Sequence, residues 1–240
     1  MKILGIDSSG MVASVAIVSD EIVIAEYNVN FKKTHSQTLL PMVDDITNML
    51  ELDMDEIDAI AVAAGPGSFT GLRIGSATVK GLAQALNKPV VAIPTVDALA
   101  YNLYGTSSLV CPVMDARRNQ TYTGIYDFMR VEAGYRMNII TDQCAVDIKE
   151  IIEVLNGLGR EVTFLGDGVP VFRNQLDELL EVPHSYAPAF MNRQRAAVLA
   201  TYAIEYIKEG RCVTSSEFTP IYLRLSQAER EQLEKEKALG

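Results

Sequence analysis

The residues whose types and spacing could do chemistry lie first in "VAAGPGSFTGLRIG", residues 62–75. An apolar run reaches Gly65, and glycines recur at Gly67, Gly71 and Gly75. Glycine-rich loops between a strand and a helix often cradle phosphate, so two known motifs are tested. A P-loop needs G-x-x-x-x-G-K-[ST], because its Lys reaches the terminal phosphates and its hydroxyl holds magnesium. Here Leu72 and Arg73 follow Gly71, and that chemistry is absent. The dinucleotide fingerprint G-x-G-x-x-G fails by one residue, since Gly65, Gly67 and Gly71 read G-x-G-x-x-x-G. A tight strand-to-helix turn explains Gly65 and Gly67 but leaves Phe69, an apolar residue at a loop tip, unexplained.

Metal-binding types are sparse. The only histidines, His35 and His184, are far apart in sequence. His35 reads as a residue near a helix N-terminus that caps or packs there, the alternative being a ligand in a site built with other residues. Cys111, Cys144 and Cys212 are odd in number and widely spaced, which disfavours a disulfide framework, fits a reducing cytoplasm and offers no zinc spacing. The net charge of -10 opposes unaided binding of nucleic acid, which runs on clustered Lys and Arg. Lys32 with Lys33 and Arg117 with Arg118 are the visible basic pairs, and both are short. RNA work inside a complex with a basic partner remains open. "MKILGID" enters a strand directly with no signal peptide, and no apolar run approaches the roughly 18 residues of a membrane span.

The elements that must position these residues follow from periodicity. Residues 3–7, 12–19 and 22–30 read as three short strands in an antiparallel meander. Residues 36–50 carry Leu39, Val43, Ile46 and Leu50 at helical spacing, with Pro41 predicting a kink or a late start. A strand over 57–65 lacks alternation, as in a sheet covered on both faces. A helix over 71–86, a strand over 89–95 and a helix over 96–104 complete the order βββαβαβα. The second half repeats it, with strands over 109–116, 121–128 and 135–141, a helix over 147–155, a strand over 162–168 and a helix over 169–180. An extended piece near 182–187 and a long helix over 193–209 follow.

The duplicated order predicts an α/β protein of two lobes, 1–104 and 105–190, facing each other across a cleft. The 193–209 helix is free to pack back on the first lobe, and residues 217–240 form a polar C-terminal tail. This organisation resembles the two-lobed actin, Hsp70 and hexokinase superfamily, with its ribonuclease H-like lobes. In that superfamily the hairpins opening each lobe hold ATP phosphates, and aspartates at the first turns help position magnesium. The resemblance puts Asp7 and Asp115 in those roles. Ser8, Ser9 and Gly10 could then present N–H groups to phosphate, and Gly166 and Gly168 in "GDG" could pass near an adenosine. An Asp after a strand also caps a turn through the backbone, which explains both aspartates with no ligand.

"GPGSFTGLRIG", followed by "KGLAQALNKPVVAI", is similar to the bacterial TsaB family, also called YeaZ. "GIDSS", "HSQTLLP", "DARRNQTY", "LGDG" and "PIYLRLSQAERE" agree in order along the chain. The resemblance implies a paralogue of the transferase TsaD and a required, non-catalytic partner in making threonylcarbamoyladenosine beside the anticodon of tRNAs that read codons starting with adenine. In that system threonylcarbamoyl-adenylate is the donor, TsaD moves its threonylcarbamoyl group to the adenosine N6, and the ATPase TsaE joins the two. The catalytic relative carries H-x-x-x-H on the helix after the strand that follows the glycine loop, and the matching positions here are Thr95 and Leu99. The transferase metal site is therefore expected to be absent. ATP or ADP and a metal are left to a site at or across the complex with TsaD, and tRNA is met only through that complex.

In the same family the first-lobe helices form the surface that binds TsaD, or a second copy of the chain. The expected interface residues are Leu39, Met42, Met49, Phe69, Leu72, Gly75, Ala77 and Thr78. Interior glycines weaken a helix, which suggests close approach of something to its backbone, and methionine suits adaptable contacts. Packing of this helix on its own sheet is the plainer explanation. Two other functions stand beside the partner role: an ATP-dependent small-molecule kinase with Asp115 as base, and a metallopeptidase, which Thr95 and Leu99 disfavour.

Overall fold

The apolar run after Met1 has no polar alternation because both faces of its strand are covered. The computed structural model describes residues 1–31 and 34–224. β1 (Lys2–Asp7) pairs antiparallel with β2 (Ala13–Ser19), which pairs antiparallel with β3 (Ile22–Val29). β4 (Ala59–Gly65) and β5 (Val90–Pro94) extend the sheet parallel to β1, giving the order β3-β2-β1-β4-β5. The second half forms β6 (Leu109–Asp115), β7 (Gln120–Val131), β8 (Gly134–Asp147), β9 (Val162–Leu165) and β10 (His184–Tyr186). Their order, β8-β7-β6-β9-β10, repeats the first sheet strand for strand, with the same parallel and antiparallel pairs. The chain thus has the two-lobed actin/Hsp70/hexokinase-like fold.

Helices divide the apolar residues into three cores. α1 (His35–Met49) and α2 (Phe69–Leu86) cover the outer face of the first sheet, over Leu4, Ile6, Val15 and Ile17. α4 (Ile148–Leu158) and α5 (Val169–Leu179) cover the outer face of the second, over Leu109, Cys111 and Phe164. Between the sheets lie α3 (Thr95–Ala100) and α6 (Ala196–Lys208), packed on Ile3, Ala16 and Val18 of one lobe and Val110, Met114 and Tyr126 of the other. α6 returns to the first lobe and rides on β1 and β2. It comes close because β1 has Gly5 there, where a Cβ would overlap the Ala196 carbonyl.

Three expectations change. α1 begins at His35 and runs through Pro41, with no late start. Pro41 and Gln37, whose carbonyl loses its N–H partner, are both exposed, so the lost bond falls on the solvent side of the helix. β8 continues to Asp147 because it pairs with β7 along its length, from Val131↔Gly134 to Gln120↔Asp147, although "TDQ" breaks the apolar pattern. The polar tail does not begin at 217. Phe218 is 1% exposed in the outer core of the first lobe, so residues 218–224 are docked, and 225–240 lie outside the described residues.

The glycines of the 65–75 stretch answer to a neighbour within the chain. A Cβ on Gly67 would overlap Ser9 O, one on Gly71 would overlap Ser8 O, and one on Gly75 would overlap Ser8 Oγ. The β1–β2 turn therefore sits directly on the start of α2. Gly81 differs, being exposed with nothing within 4 Å. Gly71→Ala should lower stability by about 1–3 kcal/mol, since main chain must move to admit the methyl group. Gly81→Ala should raise it by about 0.5–1 kcal/mol through helix propensity and unfolded-state entropy. Urea unfolding of both variants checks the pair.

The core between the lobes holds one ionisable group at a cost. Asp97 on α3 is 4% exposed and accepts a hydrogen bond of 2.7 Å from the Tyr126 hydroxyl on β7. Burial is the main reason that its pKa rises from 3.8 to about 6; nearby Asp142 pushes the same way, and Tyr126 and Arg211 oppose. The folded state thus holds a proton that the unfolded chain releases, and stability falls as pH rises from the unfolded value through the folded one. Asp97→Asn removes this dependence. Its stability relative to the parent should improve by up to about 3 kcal/mol between pH 4 and pH 7. Chemical denaturation across that range reads the change, and a gap constant with pH would contradict it.

Candidate functional site

The turns that end the strands of both lobes meet at a cleft of about 460 Å³. Ser9, Gly10, Phe69, Asp115, Arg118 and Asp167 are among the residues that line it. Of the six residues expected to bind nucleotide, Ser9 and Asp115 face this space. Asp7 is 1% exposed, and its carboxylate accepts from the backbone N–H of Ser9 at 2.9 Å and from the Ser9 hydroxyl at 2.6 Å. Burial raises its pKa, and the two Ser9 bonds and His35 act against that. Ser8 is buried and donates through Oγ to Gly71 O at 2.9 Å. Gly166, at φ +113°, and Gly168 press against β6 at Val113, and the Gly168 N–H donates to Val113 O at 2.9 Å.

Asp115 accepts from the Arg117 N–H at 2.7 Å and pairs with the Arg117 guanidinium at 3.1 Å. Asp167 has its pKa raised, chiefly by burial, with Asp115 adding to it and the backbone N–H of Asp115 and Arg193 opposing. The two carboxylates expected at a magnesium site thus have partners within the chain, Asp7 in the Ser9 N–H and hydroxyl and Asp115 in Arg117. Among the described residues, no three His, Cys, Asp or Glu side chains converge as metal ligands.

The loop amides have protein acceptors as well. Gly65 N–H donates to Thr95 Oγ1 at 3.0 Å, Ser68 N–H to Ser9 O at 2.7 Å, Gly71 N–H to Ser68 Oγ at 3.3 Å and Leu72 N–H to Ser68 O at 2.8 Å. A phosphate loop presents free donors, and these four amides are engaged within the chain. Thr95 is fully buried in this role, and Leu99 is 1% exposed in the core between the lobes. His35 faces the Gly10 carbonyl through Nε2 at 3.0 Å, whereas His184 lies in the other lobe, 3.0 Å from Asp177.

Beside the cleft, α1 and α2 pack on each other and leave a shared outer face. The expected interface residues divide across it. Leu39, Met42, Leu72 and Gly75 are buried within the chain. Met42 belongs to the inward face because it lies three and four residues from Leu39 and Ile46 on the helix. Gly75 makes room for Ser8, as described above, so its small size serves the chain's own turn. Met49 is 71% exposed, Ala77 is exposed, and Phe69 and Thr78 are half-buried. Leu40, which the sequence reading did not single out, is 54% exposed on α1, and small residues form an outward ridge on α2. Arg73, Ala77, Gly81 and Ala85 recur every four residues and are all exposed. That spacing was the available signal. Phe69 is also explained, because its ring stacks on Tyr222 with centroids 5.0 Å apart and planes 5° from parallel.

Comparison with known proteins supplies the lineage. The family model described as TsaD, tRNA N6-adenosine threonylcarbamoyltransferase, matches residues 25–232. The tRNA threonylcarbamoyladenosine biosynthesis protein TsaB of Bacillus subtilis (strain 168) is 33% identical over 237 residues, covering 99% of this chain and 100% of the relative. YeaZ from Pseudomonas aeruginosa superposes with a TM-score of 0.78 at 26% identity, over 92% of this chain and 99% of that one. An inorganic polyphosphate/ATP-glucomannokinase from Arthrobacter sp. strain KM shares the fold alone, with a TM-score of 0.50 at 12% identity over 87% of this chain and 99% of that one. With a relative matched end to end, a shared YeaZ architecture and a TsaD-type model spanning most of its length, the chain belongs to the TsaB/YeaZ family.

Proposed function

We propose that this chain is the non-catalytic partner subunit of TsaD, acting with TsaD and TsaE in the cytoplasm to attach the threonylcarbamoyl group to N6 of the adenosine beside the anticodon. The observation that carries this reading is on α3. At the two positions where the catalytic relative has histidines, Thr95 spends its hydroxyl on the Gly65 N–H and Leu99 fills the core between the lobes. Neither leaves a ligand, and the same helix turn has become packing. The candidate kinase base, Asp115, is tied to Arg117, which leaves the kinase reading without a free base. A metallopeptidase lacks its ligands for the reason given for the transferase. No helix among the described residues is long and apolar enough to cross a membrane.

The partner surface in this proposal is the outward face of α1 and α2: Leu40 and Met49 from the first helix, Phe69, Ala77, Thr78, Gly81 and Ala85 from the second. A ridge of small residues lets two helices approach within about 8 Å, which large side chains forbid. A second copy of the chain uses the same face when TsaD is absent. The net charge of -10 leaves tRNA recognition to the complex.

Ala77→Arg should keep its circular dichroism and thermal midpoint, because the position is exposed, and should weaken TsaD binding at least about tenfold by sterics and an unpaired buried charge. Gly75→Arg should lose folded protein instead, since that site is filled by Ser8. Size exclusion, pull-down with TsaD and reconstituted tRNA modification separate the two. A folded Ala77→Arg protein that binds TsaD and supports modification at the parent level eliminates this surface.

A further inference from the structure

The C-terminal segment runs from the edge of the first sheet to the cleft within twelve residues, 213–224. Val213 first pairs with Val90 at the edge of the first sheet through two 2.9 Å backbone bonds, and Phe218 anchors in the outer core of the first lobe. Ile221 N–H donates to Ala64 O at 2.6 Å, and the Ile221 carbonyl occupies the space that a Cβ on Gly65 would need. The Tyr222 ring lies flat on Phe69, in the first turn of α2. Leu223 packs against the core between the lobes. Arg224 then reaches the second lobe, where its guanidinium donates to Ala116 O and, at 3.4 Å, to Arg117 O.

The turn that Arg224 grips is strained. Arg117, Arg118 and Asn119 have φ of 66°, 56° and 59°, three consecutive left-handed residues with no glycine among them. L-residues adopt this region reluctantly, and such runs persist only where the surroundings fix them. Within its own lobe the turn has the Asp115–Arg117 contacts and a 2.9 Å bond from Asn119 Nδ2 to Asp147. Arg224 adds a brace that reaches it from a segment anchored in the opposite lobe.

We propose that residues 218–224 are a strap that latches the lobes across the cleft and couples the β6–β7 turn to the first turn of α2. Loss of the grip at one end frees the other, because Tyr222 and Arg224 sit two residues apart in the chain. The strap gives a partner on α2 a mechanical route to the cleft, a consequence that rests on the partner surface proposed above.

Hydrogen exchange on the full chain, without any partner, tests the latch. The reporting amides are Ala116 and Gln120 in the turn, bonded to Gln120 O and Arg117 O, and Ser68 and Leu72 at the start of α2, bonded to Ser9 O and Ser68 O. Arg224→Ala should accelerate exchange at both pairs about tenfold or more, with the β4 amides unchanged. Phe69→Ala, which removes the ring stack at the far end, should accelerate Ala116 and Gln120 severalfold. Effects confined to the mutated end in either variant, or no effect, overturn the coupling. Because TsaD is absent from the experiment, the latch can fail with the partner surface intact, and the partner surface can fail with the latch intact.

Discussion

Most of this structure depends on how closely the start of α2 lies on the β1–β2 turn. Gly67, Gly71 and Gly75 give up their side chains to Ser9 O, Ser8 O and Ser8 Oγ. In return, Asp7 is sealed beneath the turn and holds it through Ser9, while Ser8 bonds back to Gly71 O. The contact fixes the angle at which α2 leaves the sheet. It therefore sets which of its residues face outward. It also explains a loop that resembles a phosphate cradle without matching one, since its glycines admit Ser8 and Ser9 of the neighbouring turn.

The second organising feature is the helical layer between the sheets. α3 is buried along its whole length and α6 buries one face, with Tyr101 stacked on Tyr202 at 4.6 Å and Asp97 bonded to Tyr126. A carboxylate in such a place works against stability at neutral pH, so its presence is not explained by packing alone. Tyr126 comes from the second lobe and Asp97 from the first, and their bond fixes how the lobes meet. In many proteins a buried polar bond of this kind specifies geometry at the expense of stability.

Much of the architecture was legible because periodicity reports burial. Unbroken apolar runs marked β1, β4 and β6, and the repeated βββαβαβα order marked the duplicated lobe before any pairing was known. The losses have physical causes. Burial of glycine carries no hydrophobic signal, so Gly75 inward and Gly81 outward read alike, although six residues on one helix separate them by about 600° of rotation, or 240° around the axis. Met42 was misplaced because only every third or fourth residue was counted along one line, whereas a helix face is wide enough for Leu39, Met42, Val43 and Ile46 together. The strap was hidden because its bonds are mostly backbone and its anchors, Phe218, Tyr222 and Arg224, have no period. For the aspartates at strand ends, sequence left cation positioning and turn capping side by side, because it shows where a carboxylate is and not what it bonds.

A family that contains both a transferase and a partner can keep one scaffold and separate its uses by small changes at shared positions. Here the turn, the glycines and the strand-end aspartates hold the lobes in shape through contacts within the chain. What differs is the side chain left over after packing is satisfied. Thr95 has none to spare, Leu99 never could, and Asp115 is claimed by Arg117. On α2 the balance runs the other way. Ala77, Gly81 and Ala85 satisfy nothing inside the chain, and small exposed residues on a helix ridge contribute little to a monomer beyond the room they leave. In the proposed role, the surface left for a partner therefore lies on this helix face.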